Sequence, residues 1–353
     1  MVSSDIITKI IEAGAAAPSG GNSQPWKFEV RGSKITVIAL PLKDHAVLNF
    51  RYRGTWIAHG ALIENMVIAA SALGYRAAVS IFPVATNHNI TAEITLEKAD
   101  ILADSLATAV LLRGTNRKPF AKAPLTIEEK SALEKAQKEI GGEVLFLEKP
   151  EELEVLGRAS SNNEIVMLEN RLLHDLFFAE VVWSQEEERK KGGGLYLKTL
   201  ELKAPQEFMI KLCKSWWVMN LLNKVGMAKL IAKDGAKIYS SAGAMGAIVV
   251  RDESDEAFVS AGRLMERIWL TATNLGLSLQ LMTGVLFFFQ KITAGDRGEF
   301  SVEHLKLIES SYHQIASLFG VKDGTITLLF RMGRGEAPSA QSLKPAPIIA
   351  FLE

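Results

Sequence analysis

One element of this 353-residue chain occurs twice, at a constant offset of 202 residues. Gly60, Leu62, Glu64, Ala70, Leu73 and Gly74 fall on Gly262, Leu264, Glu266, Ala272, Leu275 and Gly276, and Ile68 falls on Leu270. Such a period means duplication, and a duplicated unit tends to build one site across its own pseudo-symmetric interface. Outside the repeat the halves differ. The loop Ala17-Pro18-Ser19-Gly20-Gly21-Asn22-Ser23-Gln24-Pro25-Trp26 occurs only in the first, and Arg113-Gly114-Thr115-Asn116-Arg117 stands only ahead of the second. These complementary losses predict one composite site per chain.

The length fits two domains, divided here as 1–112 and 113–353, the second carrying an insert at about 150–235 with no counterpart in the first. At 48% hydrophobic and 23% charged, the composition is that of a folded globular chain. Forty basic and forty acidic residues cancel, so the overall charge points to no nucleic-acid or membrane-surface partner. The single cysteine, Cys213, excludes an intrachain disulfide, suits a cytoplasmic location, and is expected as a buried apolar group beside Trp216 and Trp217. Residues 269–290 carry no charge, yet Thr271, Thr273, Asn274, Ser278, Gln280 and Thr283 break their apolarity, Gly276 and Gly284 punctuate them, and the repeated element at 60–81 contains Glu64 and Arg76. A buried helix followed by a buried strand is therefore expected there, in a soluble protein.

Periodicity places a helix over 4–16, a hairpin over 26–40, a long helix over 55–73 stopped by Gly74, a strand near 90–96 and a helix over 101–112. A capping box, Thr126 with Glu129, opens a helix over 126–140, and a strand follows at 143–147. After the helical insert come strand 244–250, the repeated helix 257–275, strand 278–286, helix 301–319 and strand 325–332. Long helices around a mixed central sheet define an α+β class. Trp216 and Trp217, at helical spacing with Met219 and Leu222, read as core. None of the six histidines has metal-ligand spacing, and His59 reads as a core histidine. Gly192-Gly193-Gly194 reads as a hinge, and neither it nor Gly333-Arg334-Gly335 has Rossmann or phosphate-loop spacing.

Three motifs carry a resemblance. Residues 17–28 read Ala-Pro-Ser-Gly-Gly-Asn-x-Gln-Pro-Trp-x-Phe, residues 113–117 read Arg-x-Thr-x-Arg, and residues 261–273 read Ala-Gly-Arg-x-Met-Glu-Arg-x-Trp-Leu-x-Ala-Thr. They resemble the flavin-ring loop, phosphate-binding opening and central helix of the FMN-dependent nitroreductase family. The resemblance covers about 5–120 and 240–350 and leaves the insert largely outside. Ordinary members are dimers with FMN at the subunit interface, and this chain resembles the tandem form in which one chain imitates the dimer.

The resemblance implies roles residue by residue. Pro18, Ser19, Gly20 and Asn22 would line the isoalloxazine, with Gln24 as a further polar contact. Arg113 and Thr115 would hold the phosphate and ribityl chain, since a guanidinium fork suits an anion. Arg117 would lie nearer N1 and O2 of the ring. The segment Met282-Thr283-Gly284 would present a backbone N–H towards N5. Lys344, in Ser342-Leu343-Lys344-Pro345, would form a second phosphate clamp where the family usually has arginine, giving a point charge without the fork.

By the same resemblance FMN carries the chemistry, NAD(P)H is the donor, and a small-molecule acceptor such as a nitroaromatic or quinone follows in a ping-pong cycle with no catalytic side chain. The chain would act as a monomeric pseudo-dimer or as a homodimer. The insert opens a different reading, in which a lid over the flavin makes the protein an FMN store.

Overall fold

The repeat becomes a pair of crossed helices at the centre of the computed structural model, which describes residues 2–45, 47–298 and 300–353. Helix α1 (Ser4–Ala15) is capped by the Ser3 side chain, which accepts from the Ile6 N–H, and it buries Ile7, Ile10 and Ile11. The loop after it leads into the hairpin β1 (Trp26–Arg31) and β2 (Lys34–Ala39), where Trp26, Phe28 and Val30 alternate inward. The long helix α2 (Arg53–Ala72) is buried nearly all round, as its even distribution of apolar residues requires. Strands β3 (Tyr75–Ile81) and β4 (Ile90–Lys98) complete this half, and α3 (Ala109–Leu112) leads to the Arg113 loop.

The second half opens with α4 (Ile127–Ile140), where Thr126 and Glu129 form the expected capping box, and β5 (Glu143–Leu147) follows. The insert comprises α5 (Pro150–Glu169), α6 (Arg171–Glu180), β6 (Val181–Val182), α7 (Gln185–Lys191), β7 (Leu195–Tyr196), α8 (Ala204–Cys213), α9 (Trp216–Asn223) and α10 (Met227–Tyr239). Strand β8 (Ala244–Val250) and the repeated helix α11 (Asp255–Asn274) precede β9 (Ser278–Leu281), α12 (Gly284–Thr293), α13 (Val302–Leu318), β10 (Thr325–Gly333) and β11 (Ile349–Phe351).

Each half has its own sheet. The first runs β11-β1-β2-β4-β3 and the second β5-β8-β10-β9, with a two-stranded β6-β7 sheet in the insert. Strand β11 pairs in parallel with β1, Phe28 opposite Ile349, so the tail of the chain is built into the sheet of the first half. Between the sheets α2 packs on α11, and one apolar core runs from Trp26 and Phe28 through Leu62 and Met66 to Leu264, Trp269 and Phe330. Among the described residues no helix is long and apolar enough to cross a membrane.

Three local expectations are corrected. Only Ala109–Leu112 of 101–112 is helical, because Asp104 is held in place by Arg267 at 2.8 Å and accepts the Leu106 N–H at 3.0 Å. The strand expected over 278–286 ends at Leu281, and α12 begins at Gly284. The apolar run there has helical spacing, burying Val285, Leu286, Phe288 and Ile292 in a second core with Tyr312 and Ile315. Finally, Trp217 is not core. Met219 and Cys213 are buried with Leu168 and Phe178, while Trp217 faces away and is 73% exposed.

Candidate functional site

The loop 17–24 is shaped by its own hydrogen bonds. The Ser19 hydroxyl accepts the Gln24 N–H at 3.0 Å, the Ser19 carbonyl accepts the Asn22 N–H, and the Gly20 carbonyl accepts the Ser23 N–H. Gly21, Asn22 and Gln24 all have positive φ, of 53°, 56° and 48°. For Asn22 and Gln24 this is a sparsely populated backbone that the surroundings must enforce, and such residues cluster at functional sites. Behind the loop, His59 is fully buried between Trp26 and Trp56 with its Nε2 3.0 Å from the Pro25 carbonyl oxygen. Burial lowers its pKa to about 4, so the ring is neutral and acts as a core contact, as expected.

From the opposite side comes the Arg113 loop. Arg113 is 8% exposed, donates to the Ala16 carbonyl at 2.6 Å, lies 3.0 Å from Glu266 and stacks 4.6 Å from the Trp269 ring centre. Glu266 is wholly buried. Burial raises its pKa and the Arg113 charge opposes that shift. Neither Glu266 oxygen has a hydrogen bond, nor does Arg113 Nε, so the pair is held by charge and not by alignment. Its repeat mate Glu64 is served differently, accepting from Arg263 at 3.0 Å and Arg267 at 2.7 Å. The residue that would play Arg267 to Glu266 is Asn65, and Arg113 supplies the missing guanidinium.

The C-terminal segment closes the third side. Lys344 Nζ donates to the Ala17 carbonyl at 2.8 Å and to Asn22 Oδ1 at 2.9 Å, and Asn22 Nδ2 donates to the Leu343 carbonyl at 2.9 Å. The residue is exposed at the rim, with its ammonium held between these two oxygens. Desolvation, then the nearby Arg113 charge, lower its pKa to about 7.

These parts enclose a cleft of about 520 Å³ whose walls include Pro18, Ser19, Asn22, Arg113, Thr115, Arg117 and Lys344. Of the residues singled out in the sequence, these seven are brought together. Gly20 and Gln24 lie just outside the walls. Gly20 faces Asp44, and Gln24 is 4% exposed with its Nε2 lacking a partner. Met282, Thr283 and Gly284 are not on the cleft. The Met282 N–H is already donated to the Leu329 carbonyl at 2.7 Å, and Gly284 packs directly against the Asn163 side chain of α5, leaving no space for a β-carbon.

Several contributors were not found in the sequence. The insert supplies Leu195 and Thr199 to the cleft wall, and Arg117 donates to the Thr199 carbonyl at 2.9 Å. Glu180, at the end of α6, fills the space a Gly21 side chain would need, and Gly193 abuts the Asn22 carbonyl. Burial and the neighbouring Asp44 raise the Glu180 pKa to about 7, and burial raises that of Asp44 to about 6. Arg331 is wholly buried and donates to Gln280, to the Ile238 and Ser241 carbonyls and to Lys118 O at 2.8 Å, pinning the end of the Arg113 loop to β9, β10 and α10. The duplicated glutamates were the one available signal, since one of them lacks its repeat's arginine.

No protein-family model matches the chain. The uncharacterised protein MT1398 of Mycobacterium tuberculosis (strain CDC 1551 / Oshkosh) is 22% identical over 349 residues, covering 94% of this chain and 46% of that protein. The protein named "Putative NAD(P)H nitroreductase acg" from the same organism is 32% identical over 129 residues, covering 35% of this chain and 38% of its own length. The chain thus spans less than half the length of the curated relatives it matches. A crystal structure of a "putative nitroreductase" from Anabaena variabilis ATCC 29413 aligns over 94% of this chain and 88% of its own, at 12% identity and a TM-score of 0.51. The nitroreductase-like fold therefore extends across both halves of the chain.

Proposed function

We propose that this tandem nitroreductase-like protein, read as halves 1–112 and 113–353, binds one FMN non-covalently in the cleft between them and uses it as an NAD(P)H-dependent oxidoreductase. The observation that carries this reading is the convergence of Arg113, Thr115 and Lys344 from one half on Ser19 and Asn22 from the other, around one cleft. A guanidinium, an ammonium and two hydroxyls form a donor set suited to a phosphate monoester. The cleft volume falls within the roughly 300–1,000 Å³ of small-molecule sites. The Gln24 Nε2 is a buried donor with no hydrogen-bond partner in the chain, which fits a polar ligand beside the loop.

When bound, FMN would supply reversible two-electron chemistry, with the protein setting position and charge. Arg113 is already fixed by Ala16 and Glu266, so it needs little ordering to meet an anion. Lys344 would give up the Ala17 and Asn22 oxygens for a phosphate, regaining a full positive charge. Arg117, tethered to the insert, would hold the ring end. The family segment 282–284 takes part only if Asn163 withdraws from Gly284.

A second reading rests on the insert. Leu195 and Thr199 wall the cleft, Glu180 fills the space over Gly21, and Gly193 touches Asn22. An insert held that tightly on the loop would shield a bound flavin and make the chain an FMN store. Titration of FMN into the apoprotein, followed by NADPH and NADH under argon, tests both. Saturable binding and rapid bleaching of the visible band support the oxidoreductase. A bound band that persists until dithionite selects the store. Undiminished flavin occupancy in the Arg113→Ala, Arg117→Ala double variant would remove the site assignment altogether.

A further inference from the structure

The insert carries an apolar face that the fold leaves uncovered. In α8, Phe208 and Leu212 are exposed one turn apart, and in α9 Trp217 and Leu221 repeat that spacing. Val225 in the following turn is 81% exposed, and Leu230 on α10 is 54% exposed. The packing explains which face this is. Cys213, Met219 and Ala228 turn inward against Leu168 and Phe178, so the opposite sides of the same helices face solvent. Six large apolar side chains within 23 residues far exceed the scattered exposure of an ordinary surface.

Charge decides what covers this face. The chain is neutral overall, but residues 203–237 hold seven lysines against two acidic residues, Glu207 and Asp234. Lys211, Lys224, Lys229 and Lys233 are exposed and make no ion pair among the described residues. Protein–protein interfaces are depleted in lysine, whereas surface-lying helices combine Trp, Phe and Leu with a lysine-rich border whose aliphatic stems follow the apolar face and whose ammonium groups reach anionic headgroups. Arginine, the usual bidentate reader of nucleic-acid phosphates and bases, is absent from the segment. With lengths of 10 and 8 residues, α8 and α9 are far too short to span a bilayer and would lie in its interface.

We propose that the α8–α10 face of the insert docks on an anionic lipid surface, with Phe208, Trp217 and Leu221 entering the headgroup region and the unpaired lysines meeting lipid phosphates. The inference stands on these residues alone and is independent of the flavin reading.

The test uses the full chain with vesicles of phosphatidylcholine, with and without phosphatidylglycerol. Co-sedimentation with the phosphatidylglycerol vesicles at low salt, weakened by added salt, is expected. Brominated lipid should quench tryptophan emission, and Trp217→Phe should lose that quenching, since Trp217 is the exposed one of six tryptophans. Reversal of Lys224 and Lys229 to glutamate should lower partitioning by roughly a hundredfold. Quenching in the unaltered chain needs no variant, so misfolding of a variant cannot mask the result. Absence of sedimentation with phosphatidylglycerol vesicles at low salt overturns the proposal. So does a concentration-dependent doubling of mass that Leu221→Ser abolishes, because a second copy would then cover the face.

Discussion

Gly60 and Gly262 meet reciprocally. A β-carbon on Gly60 would strike the Val259 carbonyl, and a β-carbon on Gly262 would strike the Ile57 carbonyl, the two contacts being related by the same 202-residue offset. The crossing of α2 and α11 therefore has the self-complementary pattern of a two-fold dimer interface, formed within one chain. Alanine at either glycine forces backbone apart from backbone, and each single variant is expected to lose roughly 3 kcal/mol or more of stability. The double variant should lose less than the sum, since both changes open the same crossing. Urea denaturation of the three variants checks this, and additive losses would disprove the shared contact.

Arg113 is expected to have two separable roles. Removing it leaves buried Glu266 without the cation in contact with it, so Arg113→Ala should destabilise the chain by about 3–5 kcal/mol. Adding Glu266→Gln should restore most of that stability without restoring FMN binding. Thermal melting and FMN titration on the single and double variants separate the two, and recovery of binding in the double variant would show that Arg113 acts only through Glu266.

Lys344 predicts a pH dependence. Its folded pKa of about 7 lies below the ordinary lysine value of 10.5, so between those limits the unfolded chain holds a proton that the folded chain has released. Apoprotein stability contributed by this group thus rises with pH across that window and is lowest below about 7. An anion in the cleft reverses the preference, so FMN binding should take up close to one proton near pH 8 and little below pH 6. Calorimetry in buffers of different ionisation enthalpy measures the uptake. Lys344→Met should stabilise the apoprotein at pH 6, weaken FMN binding and abolish the uptake.

Glu180 makes the opposite prediction. Its folded pKa of about 7 exceeds the usual 4.5, so the folded chain retains a proton that the unfolded chain loses, and stability falls as pH rises from 4.5 to about 7. The insert should hold the loop more firmly at pH 6 than at pH 8. Hydrogen exchange at residues 20–24 and 193–195 is expected to slow as pH is lowered, after correction for intrinsic rates, and Glu180→Gln should remove the difference. Unchanged exchange in both proteins would detach the insert from the loop.

Much of the architecture was legible because it depends on local pattern. The Thr126–Glu129 capping box, the 143–147 and 244–250 strands and the repeated helix all rest on caps and periodicity. The duplication itself announced that one chain carries the fold twice. What local pattern could not show was competition between neighbours. The apolar run after Leu281 is equally suited to strand or helix, and packing of Phe288 and Ile292 against α13 decided for helix. Trp217 has the spacing of a core residue, yet Met219 and Cys213 took the inward face.

By itself the sequence determined the duplicated α+β organisation and singled out the candidate anion-binding residues, since covalent order fixes the repeat, the glycine-rich loop and the positions of Arg113 and Lys344. Only the tertiary structure decided that Arg113 leans on Glu266, that Glu180 and Gly193 from the insert press on the loop, and that 282–284 turns to Asn163 instead of the cleft. Those outcomes depend on which groups share the same small volume, through burial, charge and excluded space between residues 121 to 171 positions apart, and such terms have no periodicity to read.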